Sequence, residues 1–264
     1  MDLDKLTQPP LIEAVFELKW TVGEPGSPIL PGVVVDPEYQ LFVGMLYEAI
    51  RETYPVHTKL PLAEMPAEMV PHRVQHQFRP GEQAWPLLQA GPGIVTANMA
   101  PEQQEYHWTD FGPRVADAVK AVWTSHPRSA ELHPAAVVLR YIDGIEFDYG
   151  KESILAPLAC LGVNLGVDTE VCAKVGATGL PRTLDLRVSL VLEQVGSVLE
   201  ARYVTGVMKG KPALIWETVV LAQDAAVPTT PEEIVKWAET AHETCREWFR
   251  ASVRGQLEER LCSQ

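Results

Sequence analysis

The sequence predicts an α+β protein: antiparallel sheets with packed helices. Two observations predict it. Several segments alternate polar and apolar residues with a period of two, and short turns rich in Gly and Pro join them, as antiparallel neighbours require. Other segments carry apolar residues at helical spacing, and the two kinds do not alternate as they do in a doubly wound parallel sheet.

The first strand is Leu11–Trp20, with Ile12, Ala14, Phe16, Leu18 and Trp20 on one face and Glu13, Glu17 and Lys19 on the other. Pro9 and Pro10 exclude a helix just before it. Residues 23–35 (GEPGSPILPGVVV) read as a loop. Asp36, Pro37 and Glu38 then form a helix start, and Phe42, Met45, Leu46, Ala49 and Ile50 give that helix an apolar stripe ending before Pro55. Residues 55–71 hold four prolines and read as irregular. Strands are expected at His72–Phe78, Pro86–Ala90 and Ile94–Met99, turned at Pro80-Gly81 and Gly91-Pro92-Gly93. A second helix from about Asp110 presents Phe111, Val115, Ala118, Val119, Val122 and Trp123, and stops before Pro127.

The order then begins again. Ala135–Phe147 forms strongly β-prone sequence, and a short helix fits within residues 151–165. Leu184–Leu192 alternates, with Leu184, Leu186, Val188, Leu190 and Leu192 inward. Val198–Met208 and Ala213–Gln223 complete a meander, turned at residues 194–197 and 209–212. Thr230-Pro231-Glu232-Glu233 fits a capping box, after which Ile234, Trp237, Ala238, Ala241, Cys245, Trp248, Phe249 and Ser252 trace one face. Each half thus reads strand, helix, three-stranded meander, helix. That suggests two similar α+β halves, residues 1–130 and 131–264, packed as one compact unit without a residue-level repeat.

Composition narrows the function. With 264 residues, 46% of them hydrophobic, the chain can bury a core without disulfides or metal. Its formal charge is −13, from 22 Lys and Arg against 35 Asp and Glu, and no basic run occurs. Nucleic-acid backbones and anionic membrane surfaces are therefore disfavoured partners. Cys160, Cys172, Cys245 and Cys262 form no CxxC and read as reduced thiols. The start MDLDKLTQPP lacks the apolar stretch of a signal peptide, and runs such as Ala135–Leu139 are too short to span a bilayer. The expectation is a cytoplasmic protein with no membrane partner.

Reactive motifs are missing. There is no GxSxG, no Walker-type loop, and Gly91-Pro92-Gly93 reads as a turn. His72 and His76 form the only close histidine pair, but in a strand they would lie about 13 Å apart, so neither metal nor cofactor is expected. Cys245 sits on an apolar helical stripe and reads as buried.

Arg140 and Asp143 interrupt an otherwise apolar strand. Arg140 shares a face with Val138 and Ile142, where a guanidinium needs a carboxylate, and Asp143 or Glu13 would serve. That pair reads first as structural and second as a group that binds an anion or partner. Trp108, in a polar stretch, is a candidate surface anchor. The candidate partner- or ligand-binding residues are therefore Glu13, Trp108, Arg140 and Asp143.

Five segments follow one another in order: PPLIEAVFELKW, LLQAGPGIVTANM, YHWTDFGPRV, LRYIDGIEF and AHETCREWF. Together they resemble a sporadically distributed bacterial protein family of similar length whose function is uncharacterised. The resemblance spans nearly the whole chain, and LRYIDGIEF and PPLIEAVFEL are its most specific parts. It brings no catalytic residues. Its patchy occurrence implies accessory genes carried in defence, toxin-immunity or biosynthetic cassettes. The resulting expectation is a non-catalytic protein- or peptide-binding accessory protein, its partner another protein or peptide of the same cassette. Self-association stays open. The alternative is an enzyme with a dispersed acid/base site around Glu13, Arg140 and Asp143, with His107 as a further member.

Overall fold

Nine strands pair into one antiparallel sheet in the computed structural model, which describes residues 6–22, 36–101, 105–166, 168–177, 181, 183–193 and 196–262. The strands are β1 (Leu11–Trp20), β2 (Val56–Lys59), β3 (His76–Arg79), β4 (Leu87–Gly91), β5 (Ile94–Met99), β6 (Pro134–Glu146), β7 (Asp185–Leu192), β8 (Ser197–Met208) and β9 (Lys211–Gln223). Their order across the sheet is β2-β3-β4-β5-β1-β6-β9-β8-β7. The first strand of each sequence half therefore lies at the centre, with Phe16 opposite Leu139 and Leu18 opposite Val137.

The helices are α1 (Tyr39–Ile50), α2 (Trp108–Ser125), α3 (Leu155–Cys160), α4 (Thr169–Lys174), α5 (Pro231–Ser252) and α6 (Gly255–Cys262). The period-two pattern of β1 explains where they pack. Ala14, Phe16, Leu18 and Trp20 are buried in one cluster with Phe42 and Leu46 of α1, Phe111 and Val122 of α2, and Ile234 and Trp237 of α5. Burying each large side chain of this kind contributes about 1.5–3 kcal/mol. A second cluster joins Leu199, Tyr203, Leu214 and Trp216 to Leu158 of α3 and Leu257 and Leu261 of α6.

The capping box of α5 is present: Thr230 accepts from the Glu233 backbone N–H, and the Glu233 carboxylate accepts from the Thr230 N–H. The apolar face of this helix divides between the clusters. Trp237 and Cys245 are buried in the first, while Trp248 and Phe249 are half-buried against the second.

Several elements depart from the sequence expectation. The first half carries a fourth meander strand, because Val56–Lys59 pairs with β3 inside the window read as irregular. His57, Thr58 and Lys59 are exposed, so this edge strand has no apolar alternation to reveal it. β3 starts only at His76, since His72 has φ of 56°, in the left-handed region. The chain before β3 runs so close to β4 that a Cβ on Gly91 would lie 1.9 Å from the Arg73 carbonyl oxygen. Helix α2 opens at Trp108 rather than near Asp110. β7 is an edge strand, so Leu190, expected inward, is exposed. The loop read at 23–35 and the turn residues Gln194 and Val195 lie outside the described residues. Among the described residues, no helix is long and apolar enough to cross a membrane.

Candidate functional site

The face of β1 turned away from the helices carries Glu13, Val15, Glu17 and Lys19. Pairing register sets their neighbours: Asn98 and Arg140 flank Val15 from either side, Thr96 lies beside Glu17, and Ile142 beside Glu13. A cleft of about 500 Å³ opens over these strands, with Arg73, Gln77, Arg79, Trp85 and Gln89 completing its lining.

A ladder of ion pairs crosses this face. Lys19 Nζ lies 2.7 Å from Glu17, Arg140 3.2 Å from the same carboxylate and 3.7 Å from Glu217. Glu217 also lies 3.5 Å from Arg202, which donates two hydrogen bonds to Asp185 at 2.9 and 2.8 Å. The partners of Arg140 are thus Glu17 and Glu217, and not Asp143 or Glu13 as the sequence suggested. The reason is geometric: Asp143 is three residues along an alternating strand and so points to the opposite face.

Glu13 is held differently. Asn98 Nδ2 donates to its carboxylate at 2.8 Å, and Thr96 Oγ1 donates to Asn98 Oδ1 at 2.6 Å. Burial raises the Glu13 carboxyl above the ordinary value, and the Asn98 hydrogen bond and the charges of Arg140 and Arg79 offset part of that rise. The Arg79 guanidinium donates to Gln77 Oε1 at 2.8 Å and to the Ala84 carbonyl at 2.9 Å, and sits 5.1 Å from the Trp85 ring centre.

The other two candidates lie beneath the helices. Trp108 is half-buried at the start of α2, and His242 of α5 stacks on its ring at 4.3 Å between centroids. His242 Nδ1 is 2.7 Å from the Tyr141 hydroxyl, which is 2.7 Å from the Tyr106 hydroxyl. Desolvation lowers the His242 imidazole to about 4. Asp143 is 5% exposed, and burial raises its carboxyl to about 7. Burial, with the Asp143 charge behind it, also pushes up the Cys245 thiol.

The four candidates therefore fall into two places: Glu13 and Arg140 in the cleft, Trp108 and Asp143 on the helix side. His107 is exposed beside Glu105 and joins neither. The sequence reading missed Arg73, Arg79, Asn98 and Glu217 in or beside the cleft, and Tyr106, Tyr141 and His242 behind it. Only strand register could have assembled them. Glu17 was visible as an outward residue of β1, but its link to Arg140 spans 123 positions.

The histidines do not converge either. His72 Nε2 lies 2.9 Å from the Trp20 carbonyl oxygen, whereas His76 pairs with His57 across β2 and β3 at 2.8 Å. Among the described residues no group of three His, Cys, Asp or Glu is placed to hold a metal ion.

No family model matches the chain, and no curated protein matches it. Among solved structures it is similar to the di-domain ARO/CYC StfQ from the steffimycin biosynthetic pathway, at 11% identity over 70% of this chain and 74% of that one, with a TM-score of 0.22. A similarity at that level carries no functional weight.

Proposed function

We propose that the chain is a non-catalytic binding protein that takes a polar peptide, or a segment of another protein, into the cleft on its sheet. One observation carries this reading: most of the cleft's charged groups are already held by neighbouring side chains. Glu17 is shared by Lys19 and Arg140, Asn98 holds Glu13, and Trp85 backs Arg79. Groups held in this way recognise a ligand without paying to be ordered. A volume of about 500 Å³ suits a few residues of peptide or a small polar molecule.

The alternative acid/base site needs Glu13, Arg140 and Asp143 in one cavity. The alternation of β6 puts Asp143 on the far face of the sheet, which favours the binding reading. The resemblance noted above supplies the kind of partner: a protein or peptide encoded in the same cassette.

A displayed peptide library panned on the wild-type protein and on Arg79→Gln tests the proposal. Sequences should be enriched on the wild type and lost on the variant. Enriched peptides should also be recovered chemically intact after long incubation, as mass spectrometry would show. Cleavage or modification of the peptide would make the protein an enzyme, and no enrichment would remove the peptide reading.

A further inference from the structure

We infer that the segment held in the cleft is acidic, its carboxylates taken by Arg73 and Arg79 of the lining. This rests on the binding reading above and names the chemistry of its partner. The lining holds Lys19, Arg73, Arg79 and Arg140 against Glu13 and Glu17, a surplus of two positive charges in a chain whose net charge is −13. A cationic lining against so acidic a background is a local feature, and at physiological ionic strength charges beyond about 8 Å are largely screened from it.

The free valences point the same way. Glu17 already has two cations, Lys19 and Arg140, and so has little to offer a basic ligand. Glu13 faces Arg140 and Arg79 and accepts from Asn98. By contrast, Arg73 is exposed, and among the described residues neither it nor Arg79 has a carboxylate within ion-pair distance. Arg79 spends Nε and Nη1 on Gln77 and Ala84, which leaves Nη2 without a protein acceptor among the described residues. Set over the Trp85 ring, that guanidinium keeps its remaining N–H groups available to a carboxylate. An acidic ligand finds the exposed Arg73 and the remaining N–H groups of Arg79, whereas a basic one finds Glu17 shared by two cations and Glu13 holding the Asn98 amide.

The test uses fluorescent peptides of one length in acidic, neutral and basic sets, with citrate and phosphate as small anionic probes. Each is titrated against wild type, Arg73→Gln, Arg79→Gln and Glu13→Gln. The acidic set should bind, and Arg73→Gln and Arg79→Gln should each weaken it about tenfold, the loss of one charge-assisted contact. Glu13→Gln should tighten it several-fold, a gain that a poorly folded variant cannot produce. Preferential binding of neutral or basic peptides, or no effect of Arg73→Gln, overturns the acidic assignment while the binding reading stands. Citrate or phosphate binding where no peptide does keeps the anion seat and removes the peptide. Silence from every probe overturns both.

Discussion

Neighbouring residues of one strand, β6, live in two different chemical environments. Arg140 points into the cleft, where its guanidinium lies between Glu17 and Glu217. Tyr141 and Asp143 point beneath the helices, where burial drives both toward their neutral forms. The pattern extends across each face. In the cleft, carboxylates meet guanidinium and ammonium groups in pairs. Behind it, a second tyrosine, a neutral histidine, a raised carboxyl and a raised thiol gather around Tyr141. Desolvation moves the groups behind the sheet further toward their neutral forms, because charging a desolvated group costs more than charging one with water and a counterion at hand.

The most severe test of this contrast is at Asp143. Its carboxyl titrates near 7 in the folded chain against 3.8 when unperturbed. Since the folded value is the higher one, folding favours the protonated form. The contribution is complete below the unfolded value and is lost as pH rises through about 7. Asp143→Asn remains neutral throughout. Its stability relative to wild type should therefore climb over that interval, by as much as about 4 kcal/mol. His242 works with the opposite sign, its stabilisation being lost as pH falls toward about 4, but it is present in both proteins and cancels in the difference. Urea unfolding of both proteins across the interval provides the measurement. A difference that stays flat with pH would mean the carboxyl is solvated or paired, and the dry side of the comparison would fail.

A middle-sized effect is expected at Tyr141. Replacing it with Phe leaves the Tyr106 hydroxyl and His242 Nδ1 each short of a partner, at a cost of about 1–3 kcal/mol. An unchanged denaturation midpoint at neutral pH would show that these atoms find other partners, so that the chain of hydrogen bonds adds nothing.

The smallest effect belongs to the cleft side. Arg140→Met leaves Glu17 with Lys19 and Glu217 with Arg202, and the Arg140 side chain is 34% exposed. The expected loss is about 1 kcal/mol or less, as for ion pairs in contact with water. Breaking a truly buried pair costs about 3–5 kcal/mol, so a loss of that size would mean that the ladder is desolvated and the two faces are alike.

Much of the fold was legible because local rules carry it. Alternation in Leu11–Trp20 marked both the strand and its two faces, and Thr230-Pro231-Glu232-Glu233 marked the start of α5. Elements whose signal is weak locally were missed or misplaced. β2 exposes most of its side chains and is held by backbone pairing to β3, so no hydrophobic period betrays it. His72 belongs to the strand expected at His72–Phe78, yet its positive φ ends any extended run. The candidate site was legible only in part. Glu13 and Arg140 stood out as polar residues on their strands, but the carboxylates named for Arg140, Asp143 or Glu13, are not the ones it meets.

The sequence by itself determined that β1 is a strand with two unlike faces, that β6 is an apolar strand interrupted by Arg140 and Asp143, and that the helices carry apolar stripes able to cover a sheet face. A period of two states which residues share a face. It does not state which face is covered, or which strands lie side by side. Those depended on the antiparallel pairing of β1 with β6 and of β6 with β9, which puts Arg140 within reach of Glu17 and Glu217. They depended equally on α2 and α5 closing over the other face, where Tyr106, Tyr141 and His242 meet. Contacts between residues so far apart in the chain form only when the sheet assembles, and solvent exclusion on one side then sets their charge.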